Sequence, residues 1–249
     1  MKILIGSTGF VGQNLREQTS FDYEFNSKNI EDLIDCPDGC DLYLSCLPAT
    51  KWLVNKNLKD DVKNIFNILN ILKNKKYDNV YLISTIDVYS QSPLESDEDY
   101  YPNYPGLCYG SNRLVFESLV KEFISYKNFY IFRLPALFGN HLKKNVIFDL
   151  LNNNQLEKIN INSYYQWYDL EDLSSDILRF SSSYKKDSVF NLFTEPVYTK
   201  DLIDNFYPNK SIGYRGELVE YRYKTKYLSG GYLYDKQKSI DKIAKFIKK

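Results

Sequence analysis

The sequence predicts an α/β fold: a doubly wound parallel sheet of six or seven strands with helices on both faces, followed by a smaller C-terminal lobe. Three observations lead there. Short apolar runs alternate with amphipathic stretches through the first two thirds of the chain, the signature of strand–helix–strand units. A glycine-rich turn follows the first of those runs directly. Hydroxyl, phenol and cationic residues recur where the later strands would end and the helices would begin, the edge on which doubly wound sheets carry their ligands.

Ile3 to Ile5 reads as the first strand, running into Gly6-Ser7-Thr8-Gly9-Phe10-Val11-Gly12. Tyr23 to Phe25, Leu42 to Cys46, Val80 to Ser84 and Phe129 to Arg133 read as further strands. Leu58, Val62, Ile65, Phe66, Leu69 and Leu72 follow helical spacing, as do Phe116, Leu119, Val120 and Phe123. After Gly139 the pattern loosens, with polar Asn152-Asn153-Asn154 and the aromatic cluster Tyr164-Tyr165-Gln166-Trp167-Tyr168. Regularity returns as a helix from Leu170 to Phe180 and a strand from Val189 to Leu192. Ile240, Ile243, Phe246 and Ile247 form one helical stripe in the tail from Asp235 to Lys249. Two parts follow. Residues 1–139 form a dinucleotide-binding domain, and residues 140–249 are mixed, a small lobe into which a helix and strand of the first part (about 169–193) return. The lobe itself spans Asn140 to Tyr168 and Thr194 to Tyr234. No internal repeat is visible.

The chain has 249 residues, enough for one large domain or a domain with a satellite. Lys plus Arg equals Asp plus Glu at 32 each, so no bulk basic field argues for nucleic acid. Lysines between Lys51 and Lys76 alternate with the apolar stripe and read as a solvated helix face. No run of about 18 apolar residues exists to cross a membrane, and the first apolar stretch, broken at Gly6, is too short for a secretory signal. Cys36, Cys40, Cys46 and Cys108 lack paired metal-ligand spacing, and His141 is the one histidine, so no metal is expected. Reduced thiols in a cytoplasmic protein are the expectation.

The Gly6–Gly12 turn has the arrangement of a dinucleotide phosphate cradle. The first glycine permits the turn, the second lets backbone approach a pyrophosphate, and the third allows close helix–strand packing. The helix N-terminus offers partial positive charge and free N–H groups. An acidic residue usually ends the second strand and holds the adenosine ribose; here Asn26-Ser27-Lys28 stands there, which favours NADP over NAD. Thr85 ends the strand Tyr81-Leu82-Ile83-Ser84, where a hydroxyl can hold a carbonyl or merely satisfy a turn. Tyr109 and Arg113 lie on one helical face. Such a pair can move a proton to or from an alcohol beside a nicotinamide. The chain also has 23 tyrosines, so the pair acquires meaning only together with Thr85 and the turn.

With these pieces in place the chain resembles an extended short-chain dehydrogenase/reductase, of the NAD-dependent epimerase/dehydratase family that acts on nucleotide sugars. The resemblance rests on the glycine turn, Ser84-Thr85-Ile86-Asp87-Val88-Tyr89, the Tyr109 helix, Arg133-Leu134-Pro135-Ala136-Leu137-Phe138-Gly139, and Trp167-Tyr168-Asp169-Leu170-Glu171-Asp172-Leu173. It implies a Rossmann fold, catalytic roles for Thr85 and Tyr109, and at Arg113 the place of a Lys that binds the nicotinamide ribose and lowers the tyrosine pKa. It also implies NADP or NAD bound by Gly6, Ser7, Thr8, Gly9, Phe10, Val11, Gly12, Asn26, Ser27 and Lys28, with Ala49 and Arg113 near the ribose and nicotinamide.

The departures from the family pattern carry information too. Arg113 keeps the charge but cannot shed a proton; as a stand-in for the Lys, it should tolerate Arg113→Lys with binding and turnover preserved. Ala136 stands where the family often has Asn, and Tyr165 where an Arg grips the substrate diphosphate. Asn145 resembles the family's substrate-binding Asn and serves equally well as a helix N-cap. Ile86-Asp87 fills the positions at which dehydratases carry Asp-Glu, which disfavours dehydration, and the length implies a trimmed substrate lobe. The resemblance thus implies an oxidoreductase that reduces a nucleotide-linked keto-sugar or epimerises through one. The alternative is a catalytically silent NAD(P)-binding sensor or docking protein. A homodimer is compatible with the Tyr-rich composition.

Overall fold

Strands and helices alternate through the first part of the chain. The structure, a computed structural model, describes residues 1–212 and 216–248. Residues 213–215 and Lys249, which fall in the expected lobe and tail, lie outside the described residues. In chain order the elements are β1 (Lys2–Ile5), α1 (Phe10–Gln18), β2 (Tyr23–Phe25), β3 (Cys40–Leu44), α2 (Lys51–Lys56), α3 (Leu58–Leu72), β4 (Lys76–Thr85), α4 (Tyr109–Phe123) and β5 (Ser125–Leu134). There follow β6 (Ala136–Phe138), α5 (Val146–Asn152), β7 (Tyr164–Tyr165), β8 (Trp167–Asp169), α6 (Leu173–Ser183), β9 (Ser188–Asn191), β10 (Val197–Tyr198), α7 (Thr199–Phe206) and α8 (Lys236–Ile247).

The central sheet has six strands in the order β2-β1-β3-β4-β5-β9, with β2, β1, β3 and β4 paired in parallel. The order reverses at β1, which places a switch point beside the glycine turn. Alternation along each strand sends residues to opposite faces. Leu42, Leu44, Val80, Leu82, Phe129 and Ile131 face one way, into a core with Ile65, Ile68, Leu69 and Leu72 of α3 and Phe116 and Val120 of α4. Tyr43, Tyr81 and Tyr130 face the other way in a row, with ring centroids 4.6 and 5.8 Å apart. Phe190 of β9 continues that row, 6.4 Å from Tyr130, and meets Phe180 of α6 at 5.1 Å. Helices therefore cover both faces, as the sequence predicts.

The chain divides into two compact units. The first comprises Met1–Ser92, Tyr101–Arg133 and Glu171–Phe190; the second comprises Pro93–Tyr100, Leu134–Leu170 and Asn191–Lys249. The second unit has its own core, in which Phe138, Ile147, Leu150, Trp167, Val197, Leu202 and Ile243 are buried. Here β6 pairs in parallel with β8, and β7 antiparallel with β10. The tail stripe foreseen in the sequence is α8, with Ile240, Phe246 and Ile247 packed on this core. Short elements such as α5 and α7 stand where the sequence pattern was irregular, because seven or eight residues barely complete two turns. Glu98 anchors the detached segment of this unit, accepting hydrogen bonds from the Asn191 N–H at 2.7 Å, the Thr225 hydroxyl at 2.8 Å and the Lys226 N–H at 2.9 Å.

Phe190 is fully buried and touches Tyr130, Phe132, Phe180 and Tyr184. Phe190→Ala should lower stability by about 3–5 kcal/mol through lost burial and a residual cavity. Urea denaturation would measure this; a loss near zero would show that the row is not a core.

Candidate active site

The glycine turn is built from backbone contacts that exclude side chains. Gly6 has φ +94°, and a Cβ there would lie 2.3 Å from the Ser45 carbonyl oxygen. A Cβ on Gly12 would lie 2.1 Å from the carbonyl oxygen of Gly6. The N–H groups of Gly6 and Ser7 donate to the Phe25 carbonyl at 2.8 and 3.0 Å, fastening the turn to the end of β2. Gly9 caps α1, and its own N–H donates to the Gly6 carbonyl at 3.0 Å. No side chain caps α1 and no acidic residue stands in its first turn. The N–H groups of Phe10, Val11 and Gly12 thus lack intrahelical acceptors by helix geometry, at the positive end of the helix. Ser7 is buried and Thr8 exposed. This cradle fits a pyrophosphate. Beyond β2, the Asn26 carboxamide accepts the Lys28 N–H at 2.9 Å, forming a local turn, while Ser27 and Lys28 are exposed.

Tyr109 opens α4. The Cys108 sulfur accepts the Ser111 N–H at 3.4 Å and the Ser111 hydroxyl accepts the Cys108 N–H at 2.7 Å, a capping box that fixes where the helix begins. The Tyr109 N–H donates to Asn55 Oδ1 at 2.8 Å. At Gly110 a Cβ would come within 2.0 Å of the Asp87 carbonyl oxygen, so the glycine lets α4 approach the turn that follows β4. Thr85 caps that turn: its hydroxyl accepts the Asp87 N–H at 3.2 Å and faces Asp87 Oδ2 at 3.3 Å. Asp87 also pairs with Lys51 at 2.8 Å. Thr85 and Tyr109 therefore converge on Asp87, one through its hydroxyl and the other through the helix start packed on the Asp87 backbone.

The structure places Arg113 in a setting that sequence reasoning missed. Its guanidinium grips Asp61 with both arms, at 2.8 and 3.1 Å, and donates to the Pro48 carbonyl at 2.8 Å. It also lies 4.5 Å over the Tyr109 ring. Both partners of the pair are buried, and Asn112 adds a bond to Asp61 at 2.9 Å. The stretch Lys51 to Lys76 is therefore not wholly a solvated face: Asp61 and Lys75 are buried. Burial works against the Arg113 charge, but Asp61 and Tyr109 outweigh it and raise the pKa. Burial also raises the Tyr109 pKa. Arg113 pulls it down through charge and a hydrogen bond, Asp87 and Asp61 push it up, and the net direction is upward. The phenol is thus held protonated at neutral pH. Lys could not replace this planar fork, which holds three acceptor contacts at once; the expectation that Arg113→Lys is harmless gives way to one of lost stability.

Beneath the site, Glu117 of α4 holds Arg133 of β5 at 3.1 and 2.6 Å and accepts the Ser84 hydroxyl. Arg133 donates onward to the Tyr89 hydroxyl at 2.6 Å. Ala49 is exposed in the loop between β3 and α2, next to the Pro48 carbonyl that Arg113 uses. In the second unit, Asn145 caps α5: its Oδ1 accepts the Phe148 N–H at 3.0 Å and its Nδ2 donates to the Leu137 carbonyl at 2.8 Å. The Tyr165 ring lies 5.3 Å from Trp167, and burial pushes its phenol up to about 12. Among the described residues no cluster of His, Cys, Asp or Glu could hold a metal ion, and the four cysteines are free. No helix among them is long and apolar enough to cross a membrane.

Comparison with known proteins agrees with this geometry. The profile described as "NAD dependent epimerase/dehydratase family" matches residues 27–192. The chain belongs to the NAD dependent epimerase/dehydratase family, whose members are NAD(P)-dependent enzymes. Among solved structures it is similar to MoeE5 in complex with UDP-glucose and NAD, at 14% identity and a TM-score of 0.75, covering 99% of this chain and 97% of that one. It is also similar to a UDP-N-acetylglucosamine 4-epimerase from Methanobrevibacter ruminantium, at 13% identity and a TM-score of 0.71, covering 99% and 96%. A dTDP-4-dehydrorhamnose reductase from Clostridium acetobutylicum aligns at 15% identity with a TM-score of 0.70, covering 100% and 99%. At these identities the likeness speaks for the fold. No curated protein sequence matches.

The Arg113–Asp61 pair gives a stability test. Asp61→Ala leaves a guanidinium buried and uncompensated and should cost about 3–5 kcal/mol, whereas Asp61→Leu combined with Arg113→Met should recover most of it. Equal losses for the single and double variants in urea denaturation would contradict the pairing.

Proposed function

We propose that this protein reduces a keto-sugar carried on a nucleotide, using NADPH or NADH, with Tyr109 as proton donor and Thr85 as the group that polarises the carbonyl. The observation that carries this reading is the buried Tyr109 phenol under the Arg113 guanidinium, which both oxygens of Asp61 hold in place, with the Thr85 hydroxyl at the end of β4. Burial keeps the phenol in its protonated form, the form in which reduction begins; epimerisation or dehydration begins with oxidation and requires the phenolate first. Asp87 without an acidic neighbour at Ile86 points the same way. Three solved structures of similar fold, two of them bound to nucleotide-sugar compounds and one a keto-sugar reductase by name, support the substrate class.

A nicotinamide nucleotide held at the glycine turn would supply hydride to the carbonyl carbon. Tyr109 gives its proton to the substrate carbonyl oxygen, and the Thr85 hydroxyl donates to that same oxygen. Its contact with Asp87 Oδ2, at 3.3 Å, is long enough for a substrate oxygen to displace. Gly6, Ser7, Thr8, Gly9, Phe10, Val11 and Gly12 hold the pyrophosphate, with Ala49 near the nicotinamide end. Arg113 acts through Tyr109 and the Pro48 carbonyl by positioning them. Exposed Ser27 and Lys28 supply the contacts for a 2′-phosphate, which supports NADP as the preferred nucleotide. Residues 1–139 with the returning helix and strand near 169–193 form the cofactor-binding part, and the rest of 140–249, with Asn145 and Tyr165, forms the substrate lobe. Glu171–Phe190 clusters with the first unit, in keeping with that division. Four free thiols suit a reducing, cytoplasmic setting.

Incubation with NADPH and then NADH against UDP- and dTDP-linked 4-keto-sugars, followed by absorbance of the reduced nicotinamide, tests the activity. Epimer interconversion without net cofactor consumption would move the site to the epimerase variant. Tyr109→Phe should lower the chemical rate by about two to four powers of ten with cofactor affinity little changed. Because the phenol pKa is raised, the reductive rate should stay flat through neutral pH and fall only above the ordinary tyrosine range, about pH 10. Lys28→Gln should weaken NADP by about tenfold and leave NAD unchanged; wild-type protein that binds NAD more tightly than NADP would overturn that assignment.

A further inference from the structure

The short helix α2 meets the reacting groups at two points. Lys51 and Asn55 stand four residues apart and so share one face of that helix. The Asn55 carboxamide oxygen accepts the Tyr109 N–H at 2.8 Å, and the Lys51 ammonium donates to Asp87 Oδ1 at 2.8 Å. The other carboxylate oxygen of Asp87 faces the Thr85 hydroxyl at 3.3 Å. Val54, the buried residue of α2, anchors the helix between them. One short element therefore touches both the helix that carries the phenol and the turn that carries the hydroxyl. Tyr104 reaches the same turn from the other side, its hydroxyl donating to the Asp87 backbone carbonyl at 2.8 Å. The charges around Tyr109 come in opposite pairs. Arg113 of α4 is held by Asp61 of α3, and Asp87 is held by Lys51 of α2. Arg113 favours ionisation of the phenol, whereas Asp87 and Asp61 oppose it. With Lys51 these four groups balance; without it one negative charge is left in excess beside a phenol that must itself become an anion.

We propose that Lys51 is a positioning residue for the proton transfer: paired with Asp87, it offsets the carboxylate that would otherwise hold the proton on Tyr109. A carboxylate with an ammonium at hydrogen-bond distance acts on its surroundings as a dipole and no longer as a bare charge, so its repulsion of a nearby phenolate weakens. The phenol begins protonated, and the rate at which it gives its proton to the substrate oxygen still follows its acidity. Lys51 acts on that second quantity. It also keeps Asp87 Oδ1 engaged, which fixes the carboxylate whose other oxygen faces Thr85. The role in turnover rests on the reductase reading; the coupling of Lys51 to the ionisation of Tyr109 does not.

Placing a ring-fluorinated tyrosine at position 109 of the full chain by stop-codon suppression lowers the intrinsic phenol pKa. Fluorine NMR then follows the ionisation of that one ring, with neither substrate nor nucleotide present. Lys51→Met should move the midpoint up by about one pH unit, the size expected of a pair whose cation is partly exposed. Lys51→Arg should return the midpoint to its original place, and adding Asp87→Asn to Lys51→Met should also bring it back. Lys56→Met, which removes an equal charge from the exposed face of α2 beside Trp52, should leave it where it was. In keto-sugar reduction, Lys51→Met should lower kcat by about tenfold with KM nearly unchanged, and Lys51→Arg should recover it. An unmoved midpoint in Lys51→Met overturns the proposal, as does an equal shift in Lys56→Met. Keto-sugar reduction by a protein whose Tyr109 ionisation ignores Lys51 removes this role and leaves the reductase standing; a shifted midpoint in a protein that reduces no keto-sugar does the reverse.

Discussion

A carboxylate buried away from water is costly unless every lone pair finds a donor. Glu117 meets that condition with Arg133 on β5 and Ser84 on β4, and Arg133 passes the constraint on to Tyr89. Glu117 lies two turns beyond Tyr109 on the same helix, Ser84 precedes Thr85 directly, and Tyr89 closes the turn that Thr85 opens. One carboxylate thus sets the position of the helix that carries the phenol relative to the strand that carries the hydroxyl. Shifting either element would leave a charge or a hydroxyl unsatisfied in the core, so the geometry of the reacting groups is fixed from below rather than by loops around them.

Arg113 serves the same end differently. A fork with arms on both oxygens of Asp61 and on the Pro48 carbonyl joins α4, α3 and the loop after β3. A compact ammonium would reach one of these partners well. The substitution at this place is therefore coupled to Asp61, whose charge opposes that of Arg113 at the Tyr109 phenol. Burial is what tilts the proton equilibrium towards the phenol, against the pull of Arg113 and with Asp87 and Asp61 adding to it.

Much of this was legible in the sequence, for local reasons. The glycine turn is dictated by backbone geometry within seven residues, and long amphipathic runs such as Leu58 to Leu72 announce their buried face through periodicity. Arg113 could be placed on its helix but not paired, because Asp61 lies 52 residues away and sits among charges that elsewhere face water. Nothing local marks it as buried. Thr85 and Asn145 were each compatible with a cap or a ligand contact, and the cap geometry is present for both. Alpha-helices of seven or eight residues and two-residue strands leave no periodic trace, which is why the second unit was read as irregular.

The two units are interleaved along the chain: the path leaves and re-enters the first unit until Phe190. During synthesis, β5 emerges well before β9, its neighbour in the sheet. Until some fifty further residues have left the ribosome, as the interval from β5 to β9 implies, the row of Tyr43, Tyr81 and Tyr130 ends at an open edge with no Phe190 to close it. Such an edge invites pairing with other chains. For that interval β5 lacks its outer neighbour, and truncation anywhere before β9 would leave that edge open for good. Excising either unit by a single cut is excluded for the same reason.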